Sequence, residues 1–239
     1  MASVDFSAVD TVLLDMDGTL LDLSFDNFFW QQLIPAHYAR EHGHDEASAR
    51  QRVFDLYRSR LGTLDWYCLD HWSEELGIDI AALKRRHLDR VGFLPDVPAF
   101  LAALRRYGLR TVIATNAHGT TLALKLSVTG LTDLVDEVHT SHDYRAPKEQ
   151  VLFWQQFRQR VGFDPARSLL IDDNLAVLAA ARRFGVSQLL AIRRPDSTLA
   201  PHPVTEFAAI DGVGELTPLL ERLPPPRTPG TARGPVEPR

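Results

Sequence analysis

Asp15 and Asp17 stand one residue apart, directly after the apolar run Val12-Leu13-Leu14 and directly before Gly18 and Thr19. A short run of that kind fits a strand buried on both faces, and glycine lets the chain turn sharply after it. Two carboxylates then sit at the carboxyl end of a strand, where open α/β sheets place their ligand crevices. Three later stretches repeat the arrangement. Arg110–Thr115 ends in Thr115 and Asn116, Ser168–Ile171 runs into Asp172 and Asp173, and Lys148 follows Pro147 beyond a third apolar segment. In a parallel sheet these ends share one edge. Four carboxylates gathered there repel one another unless a cation intervenes. Mg²⁺ suits such a set, because it takes oxygen ligands and is held by a few carboxylates plus substrate phosphate. An ammonium such as Lys148 and a hydroxyl such as Thr115 can hold phosphate oxygens, and an Asp carboxylate can act as a nucleophile toward phosphorus.

Each feature has a bland counterpart. Asp15 alone reads as a strand-end turn residue and Thr115-Asn116 as turn chemistry. Lys148 alone reads as a solvated lysine in the first turn of a helix, and Asp172-Asp173 as favourable charge at a helix start. The four together, in order and each at a strand end, leave those readings little room.

The elements that must position these residues alternate between strand and helix. Expected strands are Thr11–Asp15, Arg110–Thr115, Val135–Ser141, Ser168–Asp172, Gln188–Ile192 and Val204–Ile210. Expected helices between and after them are Pro98–Tyr107, Thr120–Val128, Glu149–Val161, Leu175–Phe184 with Asn174 as N-cap, and Glu215–Leu223. The fold class is α/β: a Rossmann-like parallel sheet with helices on both faces. Residues 22–95 are too many for a βα connection and read as helical nearly throughout, over Phe25–Arg40, Glu46–Arg60, Asp65–Leu76 and Ala81–Val91. The expected division is a core of 1–21 and 96–223, an inserted helical cap of 22–95, and a disordered Pro-rich tail of 224–239.

Bulk properties narrow the function. With 45% hydrophobic and 24% charged residues, the composition is that of an ordinary globular protein. A net charge of −5 argues against a nucleic-acid binder. Lysine is scarce, only Lys84, Lys125 and Lys148, while arginine is abundant. The sole cysteine, Cys68, excludes a disulfide within the chain and reads as a packed thiol. No secretory segment or membrane-spanning run is visible, so a cytoplasmic location is expected. A monomer or weak homodimer is expected, with no nucleic-acid or membrane partner.

The motifs DMDGT (15–19), the strand end at Thr115, Pro147-Lys148 and IDDN (171–174) resemble the four motifs of the haloacid dehalogenase superfamily over about residues 10–193. The insertion resembles the helical cap that one of its subfamilies carries directly after the first motif. DTVLLDMDGTLLDLSFDNFFW (10–30), LDWYCLDHWSEELGIDI (64–80), TNAH (115–118) and PKE (147–149) are further similar to the branch that removes phosphate from GMP and IMP. That likeness runs over roughly residues 8–223, with Arg145-Ala146 as a departure close to the site. The resemblance implies roles. Asp15 would attack phosphorus and Asp17 would be the acid/base. Thr115, Asn116 and Lys148 would bind phosphate. Mg²⁺ would rest on Asp15, the Asp17 carbonyl, Asp172 and Asp173. The substrate would be a small nucleotide, and phosphatases of other phosphometabolites, a phosphosugar mutase and a dehalogenase are the alternatives.

The cap must then choose the substrate. Phe25, Asn27 and Phe28, just beyond the catalytic loop, are candidates for lining its entrance, and His118 for touching phosphate or sugar. Trp30 and, on the third helix, Trp66, Tyr67, Asp70, His71 and Trp72 are also on offer to a base, but Trp66, Leu69 and Trp72 are spaced as one packed face, and Phe29 and Trp30 likewise read as cap core.

Overall fold

The run Thr11–Leu14 forms strand β1, and all four of its residues are buried. The computed structural model describes residues 4–223, and the tail expected to be disordered lies outside them. β1 is flanked by β2 (Arg110–Thr115) and β4 (Ser168–Asp172), both parallel to it. β3 (Glu137–Thr140), β5 (Gln188–Ile192) and β6 (Ala208–Ile210) extend the sheet to the order β3-β2-β1-β4-β5-β6. The order reverses between β1 and β4. That topological switch is where a parallel sheet opens a crevice beyond its carboxyl ends. The register pairs Leu14 with Ile171, so the next residues, Asp15 and Asp172, come level at its mouth.

Side chains alternate across β1. Val12 and Leu14 enter one apolar layer with Val97, Phe100, Leu101 and Leu104 of the helix Val97–Arg106. Leu13 enters the opposite layer, with Phe153, Trp154 and Phe157 of Val151–Val161 and Val177, Leu178 and Ala181 of Leu175–Phe184. Both faces of the sheet are thus covered, which is why its central strands are apolar throughout.

The segment between Leu21 and Phe93 is all helical and has a core of its own. Its helices are α1 (Ser24–Phe28), α2 (Ile34–His42), α3 (Glu46–Arg60), α4 (Leu69–Leu76) and α5 (Ile80–Arg85). Phe25, Phe29, Tyr38, Val53, Tyr57, Trp72 and Leu83 pack together at its centre. Two short chain crossings join it to the sheet. Asp22 N donates to Gly92 O at 2.9 Å, and Leu94 N donates to Leu20 O at 2.9 Å.

Several element boundaries differ from the expected ones. Phe25–Arg40 is not one regular helix, because a π-helical turn occupies Phe29–Leu33. Pro35 has no N–H to give the Gln31 carbonyl, and the Arg50 guanidinium donates to that oxygen instead, at 3.1 Å. Asp65–Leu76 breaks at Cys68, with a 3₁₀ turn over Asp65–Tyr67 before α4. The last stretch of Ala81–Val91 is a 3₁₀ turn, Leu88–Arg90, rather than helix. Lys148 does not start a helix. It lies in a turn, and the following helix begins at Val151. β6 is shorter than Val204–Ile210, and Val213–Leu216 is 3₁₀ before a single helical turn, Thr217–Leu220. Among the described residues, no helix is long and apolar enough to cross a membrane.

Candidate active site

The strand ends place Asp15, Thr115 and Asp172 on one edge of the sheet, and the turn before Val151 brings Lys148 between two of them. The Lys148 ammonium lies 2.5 Å from Asp15 Oδ1 and 2.7 Å from Asp172 Oδ2. All three side chains are buried. The turn is held by Asn116, whose side-chain oxygen accepts from Lys148 N at 3.0 Å. Asn116 Nδ2 donates to Glu149 at 3.0 Å, so its side chain braces the lysine turn rather than standing free for phosphate. Thr115 Oγ1 accepts from Ala117 N at 3.0 Å, which shapes the loop after β2.

Asp173 completes an acidic trio with Asp15 and Asp172, their oxygens lying within 4.8 Å of one another. Burial pushes Asp15 up to about 6, against the opposing Lys148 charge and with added repulsion from Asp172. Burial, then the Asp15 and Asp172 charges, push Asp173 well above the usual carboxylate range. Three carboxylates against one ammonium leave two negative charges. That excess, on oxygen donors alone, fits a divalent hard cation such as Mg²⁺. Gly18 makes room for the trio. Its φ is +90°, and a Cβ there would meet Asp173 Oδ2 at 2.7 Å and Pro195 Cβ at 2.9 Å.

Asp17 has a different environment. Lys125, from the middle of the helix Gly119–Thr129, donates to Asp17 Oδ1 at 2.6 Å and to Asp26 Oδ2 at 2.5 Å. Asp26 also takes the Lys84 ammonium at 2.8 Å. Asp17, Lys125, Asp26 and Lys84 thus form a chain of two carboxylates and two ammoniums that runs from the loop after β1 into the helical segment. Burial pushes Asp17 up to about 6, opposed by Lys125 and aided by Asp26. Burial would raise Asp26 as well, but Lys125 and Lys84 outweigh it and hold that carboxyl far below its usual range. Spacing did not single out Lys125, Asp26 or Lys84. The available signal was composition: the chain has three lysines, and each is buried in this region.

A cavity of about 570 Å³ lies between the sheet edge and the helical segment. Its floor is Asp15, Asp17, Thr115, Lys148, Asp172 and Asp173, and its far wall is aromatic, formed by Trp30, Phe54, Tyr57, Trp66 and Trp72. These rings meet edge to face, Trp30 on Tyr57 at 5.9 Å, Tyr57 on Trp72 at 5.0 Å and Trp66 on Trp72 at 6.3 Å. Asn27 and His118 line the cavity. Phe25 and Phe28 do not line it. Phe25 is buried beneath it, 5.9 Å from the Phe29 ring and 5.1 Å from the Lys84 ammonium. Phe28 turns away under the Arg90 guanidinium, 4.1 Å from its ring centre. Trp30 and Trp66, read as core, do pack partly buried against the core of the helical segment, and each also presents a face to the cavity. Arg145 is exposed, with a φ of +52°, and does not line the cavity.

This arrangement, an acidic trio and a lysine at the switch point of a parallel sheet under a helical cover, defines a class. The haloacid dehalogenase-like hydrolase family model matches residues 9–185, and the chain belongs to that family. It is a phosphomonoesterase of that family. Among its relatives is the GMP/IMP nucleotidase YrfG of Escherichia coli, 39% identical over 218 residues, which span 91% of this chain and 98% of that one. The ribulose-1,5-bisphosphate 5-phosphatase of Halopiger xanaduensis is 30% identical over 141 residues, 56% of this chain and 59% of the relative. In fold the chain is similar to a HAD phosphatase from Thermococcus onnurineus, with a TM-score of 0.75 at 24% identity over 89% of this chain and 98% of that one. L-2-haloacid dehalogenase from Xanthobacter autotrophicus shares the fold at a TM-score of 0.60 and 19% identity, covering 90% of this chain and all of that one.

Proposed function

We propose that the protein hydrolyses purine 5′-mononucleotides, GMP and IMP, to nucleoside and phosphate, with Mg²⁺ and through an aspartyl-phosphate. One observation carries the reading: the cavity has a charged phosphate end on the sheet and an aromatic wall on the helical cover. A purine stacks on such a wall, while polar groups at its rim, Gln31 and Arg58, face its edges. The likeness to the GMP/IMP nucleotidase supports the same choice.

Asp15 is the nucleophile. Its oxygen bonds to phosphorus as the bond from phosphorus to the ribose 5′-oxygen breaks. Lys148 keeps the buried Asp15 carboxylate oriented and offsets the charge of the incoming phosphate. Asp17 gives its proton to the departing 5′-oxygen. It then takes a proton from the water that splits the aspartyl-phosphate, returning Asp15 and releasing phosphate. A carboxyl pushed up to about 6 is suited to both duties near neutral pH. Lys125 holds one Asp17 oxygen, which leaves the other to exchange the proton. A Mg²⁺ held by Asp15, Asp172 and Asp173, with the Asp17 carbonyl, would offset the negative charge of the phosphoryl group.

The test is a substrate panel of GMP, IMP, AMP, phosphoglycolate and sugar phosphates with purified protein and Mg²⁺. Fastest turnover of GMP or IMP is expected, and much faster turnover of a sugar phosphate or phosphoglycolate overturns the nucleotide assignment.

A further inference from the structure

Beside the catalytic cavity, the helical cover and the sheet meet at three side chains that the proposed reaction does not use together. Cys68 comes from the break before α4, His118 from the loop after β2, and His142 from the 3₁₀ turn Ser141–Tyr144 after β3. A sulfur and two ring nitrogens, one from each, lie within 4.8 Å of one another. The two rings stand edge to face with centres 4.9 Å apart. Independently, His118 Nδ1 and His142 Nε2 are both shut off from solvent and have no hydrogen-bond partner. Two buried imidazole nitrogens left unpaired are costly, and a shared ligand would relieve both.

We propose that Cys68, His118 and His142 form a second metal site, distinct from the acidic trio, that takes a borderline-soft divalent cation such as Zn²⁺ and clamps the helical cover to the sheet. The donor set decides the cation. Thiolate and imidazole suit Zn²⁺, whereas Mg²⁺ demands oxygen. Tetrahedral zinc sites hold their donors about 3.5 Å apart, so the trio, within 4.8 Å, needs to contract by about 1.3 Å at most. Asp70 Oδ2 lies 3.7 Å from His118 Nε2, within ion-pair range of that ring. On binding, the Cys68 thiol gives its proton to solvent and the thiolate bonds to the cation. Cys68 belongs to the cover and both histidines to the sheet loops, so occupancy holds the cavity shut and slows exchange of substrate and product.

The test uses the full chain, reduced, in millimolar Mg²⁺, with Co²⁺ as the spectroscopic probe. Because Cys68 is the sole cysteine, a thiolate-to-cobalt charge-transfer band can come from this site alone. The expected result is such a band at one equivalent, lost in Cys68→Ser and weakened in affinity by at least about tenfold in His142→Ala. Thermal melts check that both variants fold. Absence of the band in the wild-type chain, or a band of equal affinity in His142→Ala, overturns the site. For the clamp, Zn²⁺ is titrated into Mg²⁺-supported hydrolysis of a phosphomonoester. Half-inhibition is expected at a Zn²⁺ concentration at least about tenfold higher in Cys68→Ser than in the wild type. Equal inhibition of both overturns the clamp.

Discussion

Lys125→Met removes the ammonium that joins Asp17 to Asp26 while keeping most of the side-chain volume. In the intact protein, two carboxylates and two ammoniums balance along the chain Asp17, Lys125, Asp26, Lys84. The variant leaves two mostly buried carboxylates, 20% and 15% exposed, against Lys84 alone. Removing one partner of a buried pair costs about 3–5 kcal/mol, mostly because the remaining charge stays buried and unpaired. For a chain of this size that lowers Tm by roughly 6–20 °C. The sign of a second substitution is decisive. Asp26→Asn alone leaves one carboxylate against two ammoniums, but in the Lys125→Met background it restores balance, Asp17 against Lys84. The double variant is therefore more stable than the sum of the single losses predicts, with a coupling of about 1–3 kcal/mol. Thermal melts of the four proteins measure it. The pH dependence of kcat/KM reads the same residue. Without Lys125, the Asp17 carboxyl rises further above about 6. The alkaline limb, which requires Asp17 protonated in the first step, then moves to higher pH. Additive losses, together with an unmoved alkaline limb, would refute the reasoning.

Three further outcomes are expected. Asp15→Asn lowers kcat/KM by at least about a thousandfold, since an amide cannot form the acyl phosphate, and steady-state assays at saturating Mg²⁺ check it. Burial pushes the Asp15 and Asp17 carboxyls up to about 6 in the folded state, above their unfolded range. Their contribution to stability is therefore present below about pH 4 and is lost as pH rises through about 6. Metal-free protein should melt lower at pH 7.5 than at pH 5, and Mg²⁺ should raise Tm more at the higher pH, as melts in EDTA and in Mg²⁺ will show. Gly18→Ala places a methyl against the Asp173 carboxylate in a backbone conformation that alanine resists, so half-maximal activity requires more Mg²⁺ than in the wild type, read from a Mg²⁺ titration.

The sheet edge was legible in the sequence because each strand is a short apolar run ending in a polar residue, and alternation with helices sends all those ends the same way. Asp15, Thr115 and Asp172 follow from that pattern alone. The environment of Asp17 does not. Lys125 lies in mid-helix with no neighbouring motif, and it reaches Asp17 only because its helix packs beside the catalytic loop. The aromatic wall was only partly legible for a similar reason. Nearness in sequence to the catalytic loop favoured Phe25 and Phe28, yet helical rotation sends Phe25 into the core and Phe28 toward Arg90. Trp66 fits the stripe of α4 by spacing, but the chain breaks at Cys68 before α4 begins, and the ring, still packed on the cap core, also lines the cavity. Periodicity carries which residues share a face within one continuous helix. It carries nothing across a break, and less still between helices that meet only when the cover closes on the sheet.

The central claim is that the sheet performs phosphoryl transfer while the aromatic wall reads the base. Ribose 5-phosphate presents a similar ester and sugar without a base, so the ratio of kcat/KM for GMP to that for ribose 5-phosphate isolates the wall. Stacking of one base on aromatic side chains contributes about 1–3 kcal/mol, equivalent to roughly 5- to 150-fold in rate. A ratio within or above that range is predicted, falling toward unity in Trp66→Ala. A ratio at or below unity in the wild-type protein would contradict the account.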